Sequence, residues 1–575
     1  MDKIPKKNQM IKKLKKLFLN YNIDGYLIPK NDEFFSEFAS PDRLKTISNF
    51  SGSYGLALIL KNQNHLFVDG RYTLQAKKQS GNKFQIHQIP FTGPQKILSR
   101  KDKILSLGFD PKLFTNYKLN RLVGKKHKLI PIHENLVDKI SLSKKNKNIN
   151  YFYILSQKIT GNTTKRKIDE LLKILKKRKI DNIFISAPEN VAWLLNLRGG
   201  DNPNAPIPNC KIIITNKKEI YFFSGFHEIA NIKKKNFYNK FKFYRLNNLF
   251  EIITKLDGKY FCVDNNTCSI FNENIIKSKF IIKNVNDPCY FLKSIKNKVE
   301  IKNMKQAHIY DGVALTKFLY WIKKTNIKNL DEIKVEKKLE SFRKKNKKYL
   351  YPSFNTIAGS GPNGAIIHYR ANKYSNRSLK KNELLLCDSG GQYKYGTTDV
   401  TRTICFSKPS KLIKNIFTRV LKGHISVATT NLNKIKKGSE IDKRARKWLR
   451  DINLDYAHGT GHGVGFFLNV HEGPQSISKY NNVTLKKGMI LSNEPGYYKE
   501  NKFGIRIENL IYVSEENNKL KFKNLTMAPI EKELINFSLL NKEEKNYLFK
   551  YNLEIYSNIS KYLNKKEKIW LQNLI

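Results

Sequence analysis

The sequence predicts an α/β protein, of the mixed α+β kind in its last part, built from more than one domain. Three observations predict it. A helical pattern, then an apolar strand, then two apolar runs around a polar turn, occurs twice, in residues 1–145 and 146–290. From residue 291 onward, strands and helices alternate to the C-terminus. And 575 residues exceed a single hydrophobic core, at roughly 150 residues per domain.

Taken in order, Ile11, Leu14 and Leu17/Phe18 recur at helical spacing in the basic N-terminal segment, which runs into the apolar IDGYLIP of Ile23–Pro29. Ala57–Gly70 then reads as a β-hairpin. A helix near Lys165–Lys179 leads in the same way into IDNIFIS, Ile180–Ser186, and Lys211–Gly225 reads as a second hairpin. These read as two copies of one module joined in the lysine- and asparagine-rich SKKNKNIN near residue 145; shared α/β grammar is the alternative to duplication. The third region begins near Asp287-Pro288 and places Met304, Ala307, Ala314, Phe318 and Ile322 on one helical face. The chain past about residue 525 reads as helices packing on the outside.

Lysine and arginine number 107 against 48 acids, a formal charge of +59. Such an excess suits phosphate neutralisation. The lysines, however, are spread over nearly every segment with abundant Asn and Ile, residues that share AT-rich codons. We assign the excess to genome composition, expecting no specific nucleic-acid partner and only weak attraction to polyanions. The six cysteines form no C-x-x-C pair or zinc spacing, as buried free thiols of a reducing compartment would. No secretory signal and no run of ~20 apolar residues is present, so a cytoplasmic protein without a membrane span is expected.

HGTGHGVGFFLNVHEGP, His458–Pro474, sets three histidines among glycines. His458 and His462 stand four apart, but Gly459, Gly461 and Gly463 argue against a helix, each costing about 1 kcal/mol there. An extended segment beside a crowded site fits better. GSGPNGA, Gly359–Ala365, matches a dinucleotide fingerprint, yet contains Pro362 and precedes the strand-like IIHYR where a helix is required. Its glycines are expected to shape a loop beside His368.

The acids carry the chemistry. Asp388 ends the apolar LLLCD, Asp399 follows in TTDVTRT as part of the next strand, and Glu494 and Glu508 fall in a second pair of strands. Two like charges ~4 Å apart repel by about 4 kcal/mol even at an effective dielectric of 20. Four carboxylates beside His462 therefore call for cations. A carboxylate-rich site with one imidazole suits two divalent metals of the Mn²⁺ type, the arrangement of a two-metal hydrolase.

HGTGHGVGFFLNVHEGP, LLLCDSGGQYKYGTTDVTRT, SNEPGYY and RIENL resemble the metallopeptidases of the pita-bread fold. With SFNTIAGSGPNGAIIHYR, VDGRYTLQA and APENVAWLLNLRG, nearly the whole chain is similar to the long, three-domain Xaa-Pro aminopeptidase (aminopeptidase P) family. The resemblance implies a pita-bread catalytic domain over 291–575 preceded by two related creatinase-N-terminal-like α/β domains, 1–145 and 146–290, in a homodimer. It implies two Mn²⁺ per subunit, with Asp388 on one metal, Asp399 and Glu508 bridging, and His462 and Glu494 completing the other. It implies that water held between the metals cleaves Xaa-Pro-Yaa peptides after Xaa, Glu494 taking the proton and passing it to the prolyl nitrogen. His471 and His368 would hydrogen-bond the scissile carbonyl or oxyanion, His458 would line the pocket, and Arg71 would contact substrate. Arg506 would face Glu508 on a regular strand and is given no firm role. The rivals are a prolidase, which shares the five ligands; a metal-free creatine-hydrolysing relative, which lacks them; and a catalytically silent pita-bread module that binds proteins.

Overall fold

The structure, a computed structural model, describes residues 8–141, 151–225, 229, 232 and 238–575. The predicted junction at residues 143–150 lies outside them. The chain divides into two units, Met1–Leu155 with Asn162–Cys289, and Ser156–Gly161 with Tyr290–Ile575.

The first unit contains two six-stranded sheets. One is built from β1 (Gly25–Pro29), β2 (Leu56–Leu60), β3 (Asn64–Val68), β4 (Gln85–Gln88), β5 (Ser106–Phe109) and β6 (Lys128–Pro131) in the order β4-β3-β2-β1-β5-β6. The other uses β7 (Asn182–Ile185), β8 (Lys211–Thr215), β9 (Ile220–Phe223), β10 (Lys242–Tyr244), β11 (Tyr260–Val263) and β12 (Ile281–Asn284) in the order β10-β9-β8-β7-β11-β12. Strand for strand the order is the same, and each pairing has the same sense in both sheets. Shared grammar does not require that agreement, so the module is repeated.

The pattern that predicted the first helix is also what holds it. In α1 (Asn8–Asn20), Ile11, Leu14 and Phe18 are buried in one core with Tyr26 and Ile28 of β1, while Leu17 packs at its edge. Each full burial of this kind contributes roughly 1.5–3 kcal/mol. In the second module α2 (Thr164–Lys177) is capped by Thr163, which accepts from the Arg166 amide, and buries Ile168, Leu171 and Leu175.

In the second unit α3 (Lys298–Lys324) starts at a capping box of Asn297 and Glu300 and buries all five residues of the predicted face. A three-stranded sheet, β13 (Ile357–Ser360), β14 (Leu385–Ser389) and β15 (Val400–Ile404), has β14 at its centre. A five-stranded sheet follows: β16 (Gly461–Gly463), β17 (Glu472–Ile477), β18 (Ile490–Asn493), β21 (Asn509–Glu516) and β22 (Lys519–Asn524), ordered β17-β16-β18-β21-β22. Between β18 and β21 the chain makes the hairpin β19 (Gly496–Lys499) and β20 (Phe503–Arg506).

One expectation changes. IIHYR is not a strand: Gly361–Ala365 is a 3-10 turn, and a further turn bonds the Tyr369 amide to the Ile366 carbonyl. The C-terminal α-helices begin at Lys542 and, as expected, pack on the outside, each burying one face. Leu548, Tyr551, Ile555 and Ile559 of the helix Lys542–Ile559 share a core with Ile416, Phe417, Val420 and Leu421. Tyr551 also donates 2.7 Å to the Ala528 carbonyl, so the apolar stripe of this helix is interior packing. The six cysteines are all buried free thiols. Among the described residues, no helix is long and apolar enough to cross a membrane.

Candidate metal centre

One of the four acids comes from within a strand and three from just beyond strand ends. Asp388 is the fourth residue of β14, opposite Thr401 of β15. Asp399 immediately precedes β15, Glu494 immediately follows β18, and Glu508 occupies the break between β20 and β21. Asn493 of β18 pairs with Asn509 of β21, so Glu494 and Glu508 leave that sheet side by side. The Glu508 amide donates to the Thr401 carbonyl (3.2 Å) and the Arg402 guanidinium to the Glu508 carbonyl (2.7 Å), which ties the two sheets together at this point. His462 is the middle residue of β16. Its flanking glycines are required for close approach: a Cβ at Gly461 would lie 2.0 Å from the Ser492 carbonyl oxygen.

Ligand atoms of Asp399, His462 and Glu508 lie within 4.8 Å of one another. His462 Nε2 is 3.5 Å from Asp399 Oδ2 and 3.6 Å from Glu494 Oε1. Its Nδ1 lies 2.9 Å from the Gly463 carbonyl, which can only accept. Nδ1 therefore carries the proton, and a neutral ring turns its Nε2 lone pair toward the carboxylates, the tautomer metal-bound histidines adopt. The His471 ring is 4.3 Å from that of His462, centroid to centroid.

Arg506 and its contacts complete the surroundings. Its Nη2 donates 2.6 Å to Asp388 Oδ2, its Nη1 2.7 Å to the Tyr498 hydroxyl and its Nε 3.0 Å to the Thr401 hydroxyl. Thr401 in turn donates 2.7 Å to Glu508 Oε2. The expected shared strand face with Glu508 is thus corrected: β20 ends at Arg506, the chain turns before Glu508, and the guanidinium meets Asp388 instead. Ser492 links the other side, accepting from the His462 amide (2.9 Å) and donating to Glu494 Oε1 (3.1 Å).

The electrostatics describe a site short of positive charge. Burial, and then the charges of Asp399, Glu494 and Asp388, push Glu508 well above the carboxylate range despite Arg506. Asp399 is pushed up to about 6, by burial first and by Asp388 and Glu494 as well. For His462, burial lowers the pKa, but the adjoining Asp399 and Glu494 outweigh it and raise it to about 9. Buried Asp388 Oδ1 has no hydrogen-bond partner. A proton on His462 would satisfy Asp399 and Glu494 but leave Asp388 Oδ1 bare. Acceptor-only carboxylates, an imidazole lone pair and an orphaned carboxylate oxygen fit divalent cations.

The remaining predicted residues have these surroundings. His458 is buried, with Nε2 2.8 Å from the Tyr498 hydroxyl, at the end of the chain Tyr498–Arg506–Asp388 rather than in the ligand cluster. His368 is half-buried, three residues past the 3-10 turn whose Gly364 packs against Gly504 of β20. Arg71, in the first unit, follows β3; its Nη2 donates 2.7 Å to Asp69 and its guanidinium lies 5.3 Å over the Tyr72 ring. Thr401, Ser492 and Tyr498 were not singled out from the sequence. Single hydroxyls in strands carry no signal that separates them from ordinary polar residues.

Comparison with known proteins adds the following. Residues 302–515 match the model for metallopeptidase family M24 and residues 518–574 the model for the C-terminal region of that peptidase. Residues 10–140 and 143–300 match models for the creatinase/prolidase N-terminal domain. The chain is 36% identical to Xaa-Pro aminopeptidase 1 of Dictyostelium discoideum over 99% of this chain and 96% of that protein. It superposes on the X-prolyl aminopeptidase of Caenorhabditis elegans, a cytosolic enzyme with a di-nuclear active site, with a TM-score of 0.92, 29% identity and coverage of 99% of both chains. A prolidase from Pyrococcus furiosus matches 62% of this chain and 98% of its own, with a TM-score of 0.50 and 26% identity.

Proposed function

The chain belongs to metallopeptidase family M24, among its Xaa-Pro aminopeptidases, and on that premise we propose how it removes the first residue of peptides with proline second. The observation that carries the proposal is the carboxylate–imidazole cluster around His462, inside a chain matched over 99% of its length by an aminopeptidase with a di-nuclear site. We divide the chain into domains at 1–145, 146–290 and 291–575.

Two cations, Mn²⁺ in our assignment, would be held by Asp388 on one side and by His462 and Glu494 on the other, with Asp399 and Glu508 shared. When bound, they supply Lewis-acid chemistry, acidifying water and polarising a carbonyl. Around them the side chains have separate tasks. Arg506 orients Asp388, and Thr401 orients Glu508. Glu494, kept in place by Ser492, accepts a proton and returns it to the prolyl nitrogen as that nitrogen leaves. His471, beside His462, and His368 donate to the oxygen of the scissile carbonyl as negative charge builds on it. His458 steadies Tyr498, and through it Arg506, at the rim of the same site. A prolyl nitrogen has no N–H, so a pocket offering packing in place of a hydrogen-bond acceptor favours it. For Arg71 as a substrate contact, and for a homodimer, the support is the resemblance. For a cytoplasmic location it is also the cytosolic relative.

Product analysis by mass spectrometry tests the reading. Chelator-stripped protein, with and without Mn²⁺, is given Arg-Pro-Pro beside Arg-Pro. Arginine is expected from the tripeptide only, and only with metal. Cleavage of the dipeptide alone makes the protein a prolidase. Cleavage of neither, with metal bound, makes it a binding module.

A further inference from the structure

Glu332 opens the helix Glu332–Lys344 and is fully buried, at 0% exposure. The helix does not need it as a cap, because Asp331 already accepts from the Lys334 amide at 2.8 Å. Its carboxylate instead gathers donors from the end of β13 and the loop that follows it. Oε1 accepts from the Ser360 amide (2.8 Å) and Asn363 Nδ2 (3.0 Å). Oε2 accepts from the Tyr369 hydroxyl (2.6 Å), the Arg377 amide (3.0 Å) and again Asn363 Nδ2 (3.1 Å). Every one of these donors is neutral, so the carboxylate is satisfied by hydrogen bonds rather than by an ion pair, the condition for keeping a charge buried.

The donors bracket His368. Ser360 and Asn363 precede it, Tyr369 is its immediate neighbour, and Arg377 closes the loop. The same loop rests on Gly504 of β20, the strand whose last residue, Arg506, grips Asp388.

We propose that Glu332 is a positioning residue for the aminopeptidase reaction: by binding the loop on both sides of His368, it holds that imidazole where it meets the scissile carbonyl. The proposal rests on the role given to His368 above. Glutamine is the informative replacement. It keeps the size but turns one acceptor oxygen into an NH₂ group facing N–H and O–H donors.

The test is a double-mutant cycle on the full-length, Mn²⁺-loaded protein with Arg-Pro-Pro as substrate. Glu332→Gln should lower kcat by ~10-fold or more, less than deleting an oxyanion donor outright, with KM little changed. Metal content, read by plasma mass spectrometry, should stay at the wild-type value. In a His368→Ala background the same change should cost nothing further. If His368→Ala lowers kcat but the two losses multiply, or if Glu332→Gln leaves kcat intact, the inference is wrong while the role of His368 stands. If His368→Ala leaves kcat unchanged, the role of His368 fails and that of Glu332 with it. Should Glu332→Gln not fold, Tyr369→Phe, which removes one of the donors nearest His368, takes its place in the cycle.

Discussion

In the first α/β module Arg43 stands between two carboxylates, with Nη2 2.7 Å from both Glu33 and Asp138, and Lys30 pairs with Asp42. Around His462 in the second unit, the carboxylates of Asp388, Asp399, Glu494 and Glu508 have, among the described residues, one guanidinium in an ion pair, Arg506 on Asp388, while Arg402 reaches the Glu508 backbone carbonyl. In the first region the buried charge of Arg43 is neutralised by side chains of the same module. The second gathers more negative charge than its side chains offset, and burial first, with that charge, raises Asp399 and Glu508. Charge balanced within the chain belongs to the scaffold; charge left unbalanced, in a place that strands have been shaped to reach, belongs to the chemistry.

The contrast can be broken by experiment, most forcefully at the metal site. Asp399→Asn should abolish peptide cleavage and lower the metal content measured by plasma mass spectrometry; a fully active variant would remove Asp399 from the ligand set. Next in size is His471→Ala, which should keep both metals and lose ~10²-fold in kcat, as when one oxyanion donor is deleted. Loss of metal in that variant would make His471 a ligand instead.

Arg43→Met should leave metal content unchanged but destabilise the first unit by about 1 kcal/mol, because the freed Glu33 and Asp138 side chains, 36% and 42% exposed, are partly solvated by water. Urea unfolding of the metal-loaded protein measures it, and an unchanged midpoint would mean that the acids need no partner. The smallest expected effect is one of pH. His65 packs against His87, with ring nitrogens 3.0 Å apart, and burial lowers it to about 4. The unfolded chain takes up this proton near pH 6.5 and the folded one resists it, so its contribution is complete above pH 6.5 and is lost as pH falls toward 4. Urea midpoints at pH 7 and pH 5 should differ less in His65→Leu than in the wild type; an equal difference in both would assign the acid sensitivity elsewhere.

The sequence was most legible where one residue's environment depends on its neighbours in the chain. The buried face of Lys298–Lys324 and the buried Ile11, Leu14 and Phe18 follow from periodicity alone. Asp388 was readable as the end of an apolar strand. Arg506 was not, because its partner is 118 residues away and the break between β20 and β21 turns it from Glu508. Asp399, Glu494 and Glu508 read as strand residues but lie just beyond strand ends, whereas Asp388 stays within the ladder. The C-terminal helix at Lys542–Ile559 was legible as peripheral from its amphipathic spacing, which does not reveal the partners of its buried stripe. Glu332 carried no signal at all, its five acceptor contacts coming from residues 28 to 45 positions away.

The central claim is that the surplus negative charge around His462 is completed by two cations and that activity depends on them. The most direct measurement titrates Mn²⁺ into chelator-stripped protein while bound metal and Arg-Pro-Pro cleavage are followed on the same samples. Activity should be absent at the start and should rise until two ions are bound per chain, then level off. Full cleavage in stripped protein, or a plateau reached with no metal bound, would contradict the account.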